Sequence, residues 1–589
     1  MACKRSGVQF PSAPPAVPVS SVPRVSRTPA EIQEQLELLR ARDRALGDEA
    51  RAAADRYRAA NGPGVEEYGF PSTEPFRPDF PRFTPPTGFR RLALSVRRRL
   101  GFPVVQVVRV RGFLAFVPGG CVLSGSLGEM IDHQPGIAGA ELVYGDSVHY
   151  LMNADHGFSV RLRPGWSPER LRSHCYVGHV VLATPELVAR CGGTGSVRRL
   201  SAHARALLLS ESARKVVRLD GVMYATAGVD PEPQVDPCAV AEHLRRAGID
   251  AVCTSTRSPG VVDVSRRRTH DPKVAVIIPT RGSVATVFGR ERVMVVEAIH
   301  SLVTKSSYPA LEFVVVVDSD TPPGVRESLR SIDHADVRLV EYDQPFNFAA
   351  KINLGAVNTD AECLLFVNDD IEVLSGDVIE VLLSHLVDPT VGQVGPLLLF
   401  EDGSVQSAGH LFNPSPVDLY RGFPPGLDGG QHILLAAREV SSVIAAFTMT
   451  RADDFRSVGG LSEIFPGDYN DVDFALKLAA VGKRSIVTPV VRCIHFESKT
   501  RTAVPDPGAI ALLGSRWQHI IENDPYGNPL LQPHEHVWKA DVDGAVSLND
   551  AFGTPVTWDD EEWVRLQALP DRHLHRTRYH AKWIDGVGP

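Results

Sequence analysis

Short apolar runs alternate with amphipathic stretches between residue 273 and about residue 500. Val274 to Ile278 is a continuous apolar run that ends at Pro279-Thr280-Arg281-Gly282, and a helix is predicted over Val293 to Val303. The next apolar run, Leu311 to Val317, ends in Asp318. Strands alternating with helices predict a mostly parallel α/β sheet, in which ligands bind at the carboxyl ends of the strands.

Three further polar positions follow predicted elements of the same region. The apolar strand Cys363 to Val367 runs into Asn368-Asp369-Asp370. Asn470-Asp471-Val472-Asp473 opens an amphipathic helix, and His495 follows the strand Ser485 to Ile494. Carboxylates at a strand end can hold a divalent cation against a diphosphate. Each signal alone also has a structural reading, as a turn, a helix cap or a packed histidine, but their order within one sheet favours a site.

Residues 1–100 lack the alternation of strands and helices that is predicted for residues 273–500. Residues 1–27 are rich in Pro, Ser and Val and are predicted to be disordered; the string GVQFPSAPP is typical of translated non-coding sequence, so we expect the natural start downstream. Thr28-Pro29-Ala30-Glu31 predicts a capped helix over 28–60, at the surface or docked on another part. Residues 61–88 are a Pro-rich linker. Phe89 to Leu100 is basic and amphipathic, as in a solvated helix face or a contact with an anionic membrane.

Composition narrows the class of protein. The 589 residues exceed one ordinary core, and the formal net charge of -8 argues against a general nucleic-acid binder. The eight cysteines form no C-x-x-C pair, no apolar run reaches spanning length and no signal peptide is recognisable. We therefore expect a cytoplasmic protein, with peripheral contact at the inner face of the plasma membrane as an open alternative.

Neither G-x-G-x-x-G nor G-x-x-x-x-G-K-[ST] occurs in the predicted sheet, which argues against a dinucleotide fold and a P-loop. The region instead resembles the family 2 glycosyltransferases, which have the GT-A fold. The segments that carry the resemblance, in family order, are VAVIIPTRG (274–282), VVVVDSDTP (314–322), FNFAAKINLGA (346–356), LLFVNDDIEV (364–373), VGQVGPLLLFEDGSVQSAGHLF (391–412), VSSVIAAFTMTRADDFRSVGGL (440–461), YNDVDFALKLAAVGKR (469–484) and TPVVRCIHFES (488–498). The segment RWQHIIENDPYGNP (516–529) resembles the rhamnosyltransferase-like branch of cell-surface polysaccharide synthesis.

The resemblance implies a role for each matching residue. The nucleotide-sugar residues it implies are Pro279, Thr280 and Arg281 around the nucleotide, Asp318 at its base or ribose, and Lys351, Asn353 and Asp369. Asp370 occupies the metal position of the DxD motif, and His495 matches a histidine that completes the site for Mn²⁺ or Mg²⁺. Asn368 departs from the motif, since the first Asp would stand there. Asp471 matches the catalytic base.

The implied activity is inverting transfer of a sugar from a nucleoside-diphosphate sugar to a glycan or lipid-linked glycan. A carboxylate base takes the proton from the acceptor hydroxyl, and a divalent cation offsets charge on the departing diphosphate. Leu513 stands where processive synthases of the family carry Gln before Arg516-Trp517, which favours a non-processive enzyme. A nucleotidyltransferase would want a Gly- and Lys-rich phosphate loop after the first strand, and Pro279 to Gly282 is not one. A non-catalytic, nucleotide-sugar- or glycan-binding scaffold is the alternative from a different class.

An earlier region resembles the same family. LVYGDSVHYL (142–151), RPGWSPERLRSHCYVGHVVLATPELVARCGG (163–193) and VVRLDGVMYA (216–225) are similar to the back half of the first domain of tandem enzymes. Pro118-Gly119-Gly120 stands in place of their acidic cluster, and Leu200-Ser201-Ala202-His203 in place of their base motif. We therefore predict an inactive, truncated GT-A-like domain at 89–270, a catalytic GT-A domain at 271–500, and a helical and irregular extension at 501–589.

Overall fold

The protein was analysed in a computed structural model. It describes residues 27–61, 105–150, 158–227, 232–256, 260–333, 335–424, 426, 428–497, 506–531 and 536–538. The predictions of disorder before residue 27, of a linker over 61–88 and of a basic amphipathic stretch over 89–100 lie outside these residues, apart from the helical Asn61. Within the described ranges, every helix is too short or too polar to cross a bilayer.

Two mixed β-sheets form the frame of the molecule. The strands of the first half are β1 Gln106–Val110, β2 Phe113–Val117, β3 Cys121–Leu123, β4 Leu142–Tyr150, β5 Phe158–Arg161, β6 Val181–Ala183, β7 Val216–Ala227, β8 Ala251–Ser255 and β9 Val262–Arg266. Those of the second half are β10 Val274–Thr280, β11 Val284–Val287, β12 Arg290–Val293, β13 Leu311–Asp318, β14 Val337–Tyr342, β15 Cys363–Val367, β16 Ile371–Val373, β17 Val391–Leu399, β18 Val405–Ser407, β19 His410–Phe412, β20 Pro416–Asp418, β21 Arg438–Val440, β22 Phe447–Arg451 and β23 Arg484–His495.

Helices cover both sheets. Those before residue 270 are Pro29–Asn61, Leu127–His133, Pro168–Ser173, Pro185–Arg190, Gly193–Val197, Ala202–Ser212 and Pro237–Arg246. Those after it are Met294–Lys305, Pro323–Arg330, Phe348–Val357, Val378–Leu386, Ala452–Ser457, Asn470–Ala480 and Pro507–Ile521.

The larger sheet has the strand order β14-β13-β10-β15-β22-β17-β23-β16 among the described residues. β10 lies between β13 and β15 and is parallel to both, whereas β22 runs antiparallel to β15. Apolar clusters fill both faces, so every residue of β10 and β15 is buried. Burial on two faces explains why these strands are continuous apolar runs in the sequence. The predicted α/β class is confirmed.

The smaller sheet repeats part of this pairing pattern. Its order is β1-β2-β6-β4-β7-β3, with β5 beside β4. β4 is antiparallel to β6 and parallel to β7, as β17 is to β22 and β23. β3 pairs antiparallel with β7, as β16 does with β23. On the other side the two sheets differ, because β2 is flanked by the antiparallel β1 where β15 is flanked by the parallel β10.

The N-terminal helix Pro29–Asn61 docks on the larger sheet's helices. It begins with the predicted capping box, in which the Thr28 backbone amide donates to Glu31 Oε2 over 2.7 Å and the Glu31 amide donates to Thr28 Oγ1 over 3.3 Å. Leu36, Leu39 and Leu46 are buried in the cluster that covers one face of the sheet. This helix is therefore part of the core around the larger sheet, although it precedes the first strand of that sheet by more than 200 residues of chain.

Candidate active site

The predicted site residues converge at the carboxyl ends of β10, β13 and β15 and at the end of β23. Thr280 ends β10, Asp318 ends β13 and His495 ends β23. Asn368 to Asp370 form the turn between β15 and β16. The parallel pairing of β10 with both neighbours places these ends at one edge of the sheet.

Asp369 bonds to the end of β10. Thr280 Oγ1 donates to Asp369 Oδ2 over 2.6 Å and itself accepts the backbone amide of Gly282 over 2.8 Å. Gly282 has a φ of 75°, and a Cβ there would lie 2.9 Å from the methyl carbon of Thr321, so the turn after β10 requires glycine. Burial raises the pKa of Asp369 above the ordinary value, and repulsion from Asp370 adds to it.

Asp370 pairs with His495. Asp370 Oδ1 lies 3.1 Å from His495 Nε2, because Ile371 and His495 are paired across β16 and β23. Burial favours the neutral carboxyl, yet attraction to His495 outweighs it and the pKa of Asp370 is lowered. The pKa of His495 is raised, since Asp370 overcomes the opposing effect of burial. Gln406 Oε1, 2.8 Å from His495 Nδ1, orients the ring.

Asn368 supplies an unpaired oxygen beside this pair. Its Nδ2 lies 3.3 Å from His495 Nε2, and its buried Oδ1 has no hydrogen-bond partner in the described part of the chain. No group of three or more His, Cys, Asp or Glu side chains arranged for a metal occurs among the described residues. Asp370 and His495, with the Asn368 oxygen beside them, still fit a cation that completes its coordination with substrate phosphates and water, as Mg²⁺ commonly does.

Lys351 and Asp318 form a partly buried ion pair at the end of β13. Lys351 Nζ lies 2.5 Å from Asp318 Oδ1, and the lysine is only 2% exposed. The ammonium also lies 5.4 Å from the ring centroid of Tyr342 and 5.8 Å from that of Phe346. Phe346 is 59% exposed, so it offers an aromatic face next to the ion pair.

The other residues that the sequence predicts around the nucleotide differ in exposure. Pro279 is buried within β10, opposite Val316 of β13, and Arg281 is exposed just beyond the strand. Asn353 is 1% exposed, and its side-chain amide forms hydrogen bonds within the protein. Its Nδ2 donates to the Leu461 carbonyl over 2.9 Å, and its Oδ1 accepts the Leu461 amide over 3.0 Å. The structure thus places Asn353 in a clamp on the 460–463 turn, and its proximity to the donor stays a prediction.

Asp471 lies across a short loop from the acidic turn. The Asn368 amide donates to the Ala446 carbonyl over 2.9 Å, while the Ala445 amide donates to Asp471 Oδ2 over 3.2 Å. The 445–446 backbone therefore connects the acidic turn Asn368 to Asp370 with the predicted base. Burial raises the pKa of Asp471, partly offset by the His410 imidazole. Asp473 has a different role, since it is fully buried and accepts from Trp517 Nε1 over 2.8 Å.

His410 lies beside the predicted base, and no role was predicted for it from the sequence. His410 Nε2 lies 3.2 Å from Asp418 Oδ1, and the pKa of His410 is raised because Asp418 and Asp471 outweigh its burial. Arg421 lies 3.5 Å from Asp418 and donates to Glu497 over 2.6 Å. His410 falls in the family-like segment VQSAGHLF, but a lone histidine after a glycine has no catalytic signature in sequence.

The acidic residues at the strand ends, an adjacent buried carboxylate and a lysine–aspartate pair lie at the edge where open α/β sheets bind their ligands. Residues 275–456 match the family model described as glycosyl transferase family 2. Residues 275–456 therefore carry a family 2 glycosyltransferase domain, and the resemblance found in this part of the sequence is confirmed.

Individual relatives share part of the chain. O-antigen biosynthesis protein RfbC of Myxococcus xanthus is 31% identical over 392 residues, covering 63% of this chain and 30% of that protein. Pre-mycofactocin glycosyltransferase of Mycobacterium tuberculosis is 26% identical, over 44% of this chain and 48% of its own length. The chain thus spans less than half of either relative. Among solved structures, the mannosyltransferase PcManGT of Pyrobaculum calidifontis with GDP-Man and Mn²⁺ has a TM-score of 0.29 at 19% identity, over 44% of this chain and 72% of that one.

Proposed function

We propose that this protein is an inverting, metal-dependent glycosyltransferase that acts in cell-surface polysaccharide synthesis. It would move a sugar from a nucleoside-diphosphate sugar to a glycan or lipid-linked glycan. The observation that carries the proposal is the meeting of Asp370 and His495 at one sheet edge, with Asp471 held across the 445–446 backbone.

Each residue has a defined task in this proposal. Asp471 takes the proton of the acceptor hydroxyl as that oxygen displaces the nucleoside diphosphate at the anomeric carbon; its raised pKa strengthens it as a base. Asp370 and His495 would hold Mn²⁺ or Mg²⁺, which when bound offsets charge on the leaving diphosphate. Asp318, Lys351 and the exposed ring of Phe346 would hold the nucleoside.

The first sheet fits an inactive GT-A-like domain over 89–270. Its pairing of β4 with β6 and β7 parallels that of β17 with β22 and β23. The turn after β2, which corresponds to the turn after β15, holds Pro118, Gly119 and Gly120 and no carboxylate. At the position that corresponds to the base, His203 is fully buried, with Nε2 2.7 Å from the Leu171 carbonyl oxygen. We infer that this domain braces the catalytic half and has no catalysis of its own.

A turnover assay tests the proposal. Purified protein is incubated with UDP-, GDP- and dTDP-sugars, and release of the nucleoside diphosphate is followed with and without Mn²⁺ or Mg²⁺. We expect slow, saturable hydrolysis of one donor class that EDTA abolishes and Mn²⁺ restores. A thermal-shift screen with the same donors runs in parallel, because a bound ligand raises the unfolding temperature by mass action. Donor binding without any turnover, in the presence of candidate acceptors, would instead support the scaffold alternative.

A further inference from the structure

A small cavity, partly open to solvent, lies where the two halves of the chain meet the C-terminal segment. Arg170 comes from the first half, and His410 and Arg438 come from the catalytic half. Tyr526 and Trp538 of the C-terminal segment complete the wall. The cavity is distinct from the acidic turn, because Asn368, Asp369 and Asp370 do not line it.

Two arginines of the wall are buried and form no salt bridge within the part of the chain that the structure describes. Arg438 is 5% exposed and donates to the carbonyl oxygens of Ile433 and Ala408. Arg170 is 1% exposed; its Nη2 donates to the Gln431 carbonyl over 2.7 Å, and its Nε has no hydrogen-bond partner among the described residues. Its guanidinium lies 5.3 Å from the ring centroid of Tyr176, and Glu232 attracts it without bonding to it. No ion pair joins either guanidinium to a carboxylate of the described residues. Burial lowers the pKa of Arg438 to about 9, aided by repulsion from Arg170, so both remain cationic at neutral pH.

The carboxylate on the wall does not neutralise them. Glu439 accepts from Ser167 Oγ and from the Glu169 amide, and it pairs with Arg484. By contrast, the equally buried Arg163 pairs with Glu232. An unpaired buried cation costs several kcal/mol, even after the protein relaxes around it. A binding site recovers that cost when an anion enters, which is a physical reason for the two guanidiniums to stay unpaired.

We propose that this cavity binds a phosphate group of the acceptor, with Arg170 and Arg438 as its ligands. Guanidinium groups recognise phosphate through paired N–H donors, which a single lysine cannot supply. The proposal rests on the proposed function, because it places the acceptor beside the base. His410 connects the two places: its amide donates to the Ser442 carbonyl over 2.8 Å, and Ser442 Oγ donates to the Asp471 carbonyl over 3.3 Å.

Because Arg170 lies in the first half of the chain, that half would contribute a ligand to the phosphate of the acceptor. Without residues 158–227, the cavity would lack Arg170 and one of its walls. A sugar joined to a phosphate in this cavity would place a hydroxyl towards Asp471, and the rings of Tyr526 and Trp538 would border it. The chemistry selects acceptors that carry phosphate or diphosphate over neutral glycans.

The test measures anion binding and acceptor use in the full-length protein. Thermal unfolding is followed during titration with inorganic phosphate and pyrophosphate, at constant ionic strength set with NaCl. We expect a saturable rise in unfolding temperature that is lost in Arg438→Met and in Arg170→Met. Arg456→Met, which removes an equal charge from an exposed surface pair with Asp453, should keep it. Losing one charged hydrogen bond of ~1.5–3 kcal/mol should raise the KM for a phosphate-bearing acceptor by roughly 10- to 150-fold, with the donor KM unchanged.

Further variants separate the possible sites. If Asp370→Asn rather than Arg438→Met removes the phosphate effect, the anion occupies the donor site and the proposal is wrong. It is equally wrong if wild-type protein shows no saturable effect, or if both arginine variants keep it. Arg438→Lys keeps the charge and should retain partial binding even if Arg438→Met does not fold. Saturable phosphate binding without any donor turnover would support the cavity while contradicting the proposed enzymatic activity.

Discussion

His495 Nε2 lies 3.1 Å from Asp370 Oδ1, although 124 residues separate the two in the chain. The pairing of β16 with β23 sets this distance, because Ile371 and His495 are direct partners in the ladder. An acidic turn after one strand and a histidine at the end of another are thereby brought into contact. The same ladder makes the proposed cation site dependent on the sheet's register.

Asp370→Asn should remove metal-dependent turnover with little change in fold. The amide keeps the side chain's shape but loses the charge that holds the cation, and removing one electrostatic stabiliser of a transition state costs on the order of 100-fold or more in kcat. Donor hydrolysis measured against Mn²⁺ concentration checks this. An unchanged Mn²⁺ dependence would rule Asp370 out as a ligand. His495→Gln should show a weaker metal affinity in the same assay.

Asp471→Asn should reduce transfer by roughly 10²- to 10⁴-fold, the usual contribution of a general base. The affinity for the donor should not change, since the 445–446 backbone separates Asp471 from the acidic turn Asn368 to Asp370. Asp473→Asn is the matched control two residues along the same helix. Asp473 bonds with Trp517 and Arg516, so its variant should lose stability and keep the chemical step. Equal transfer by Asp471→Asn and wild type would exclude Asp471 as the base.

His410→Gln should move the acidic limb of the pH–rate profile to higher pH. Asp471 must be ionised to act, so activity falls as pH falls through its raised pKa. His410 lowers that pKa and Asp418 raises it, while the Ala445 and Val472 amides favour the ionised form. Removing the imidazole therefore raises the pKa of Asp471 further. The measurement is kcat/KM against pH for both proteins; a shift to lower pH, or none, would contradict the coupling.

Asp43→Ala should destabilise the protein by about 3–5 kcal/mol, the typical cost of breaking a buried ion pair. Asp43 Oδ1 lies 2.7 Å from Lys477 Nζ, and Ser462 Oγ donates to Oδ2 over 2.7 Å. The variant leaves the fully buried Lys477 short of a partner. Asp48→Ala on the same helix, which removes an exposed pair with Arg51, should cost under about 1 kcal/mol in denaturant unfolding. Similar losses for the two variants would show that the helix is not anchored through Asp43.

Asn353→Ala distinguishes the two roles open to that residue. If its amide clamps the 460–463 turn, the variant should lose about 1–3 kcal/mol of stability, because buried backbone groups of Leu461 lose their partners. The donor KM should then change little. A large rise in donor KM without loss of stability would support the donor-binding role that the family resemblance implies. Thermal unfolding and donor titration on one preparation separate these outcomes.

Local sequence was sufficient for the elements of the catalytic half. Cys363–Val367 forms a strand with the predicted bounds, and the predicted strand over Leu311 to Val317 extends by one residue to Asp318. Such strands are buried on both faces, so their apolar runs are unmistakable. The capping box at Thr28 and Glu31 is equally local. The acidic turn, Asp318, Asp471 and His495 stood out for the same reason, since each sits at the end of a clear element.

Tertiary structure alone decided how these ends combine. The ladder of β16 with β23 brings His495 to Asp370, and the core position of the N-terminal helix depends on apolar and charged contacts with residues some 400 positions away. The unpaired Arg170 and Arg438 look like ordinary basic residues in the sequence, because their isolation from acids exists only where two halves of the chain meet. The sequence by itself determined the family, the sheet and its polar strand ends, since these follow from periodicity and short motifs. Burial, register and contacts between distant segments determined which of those residues share a site, and these are properties of the packed chain.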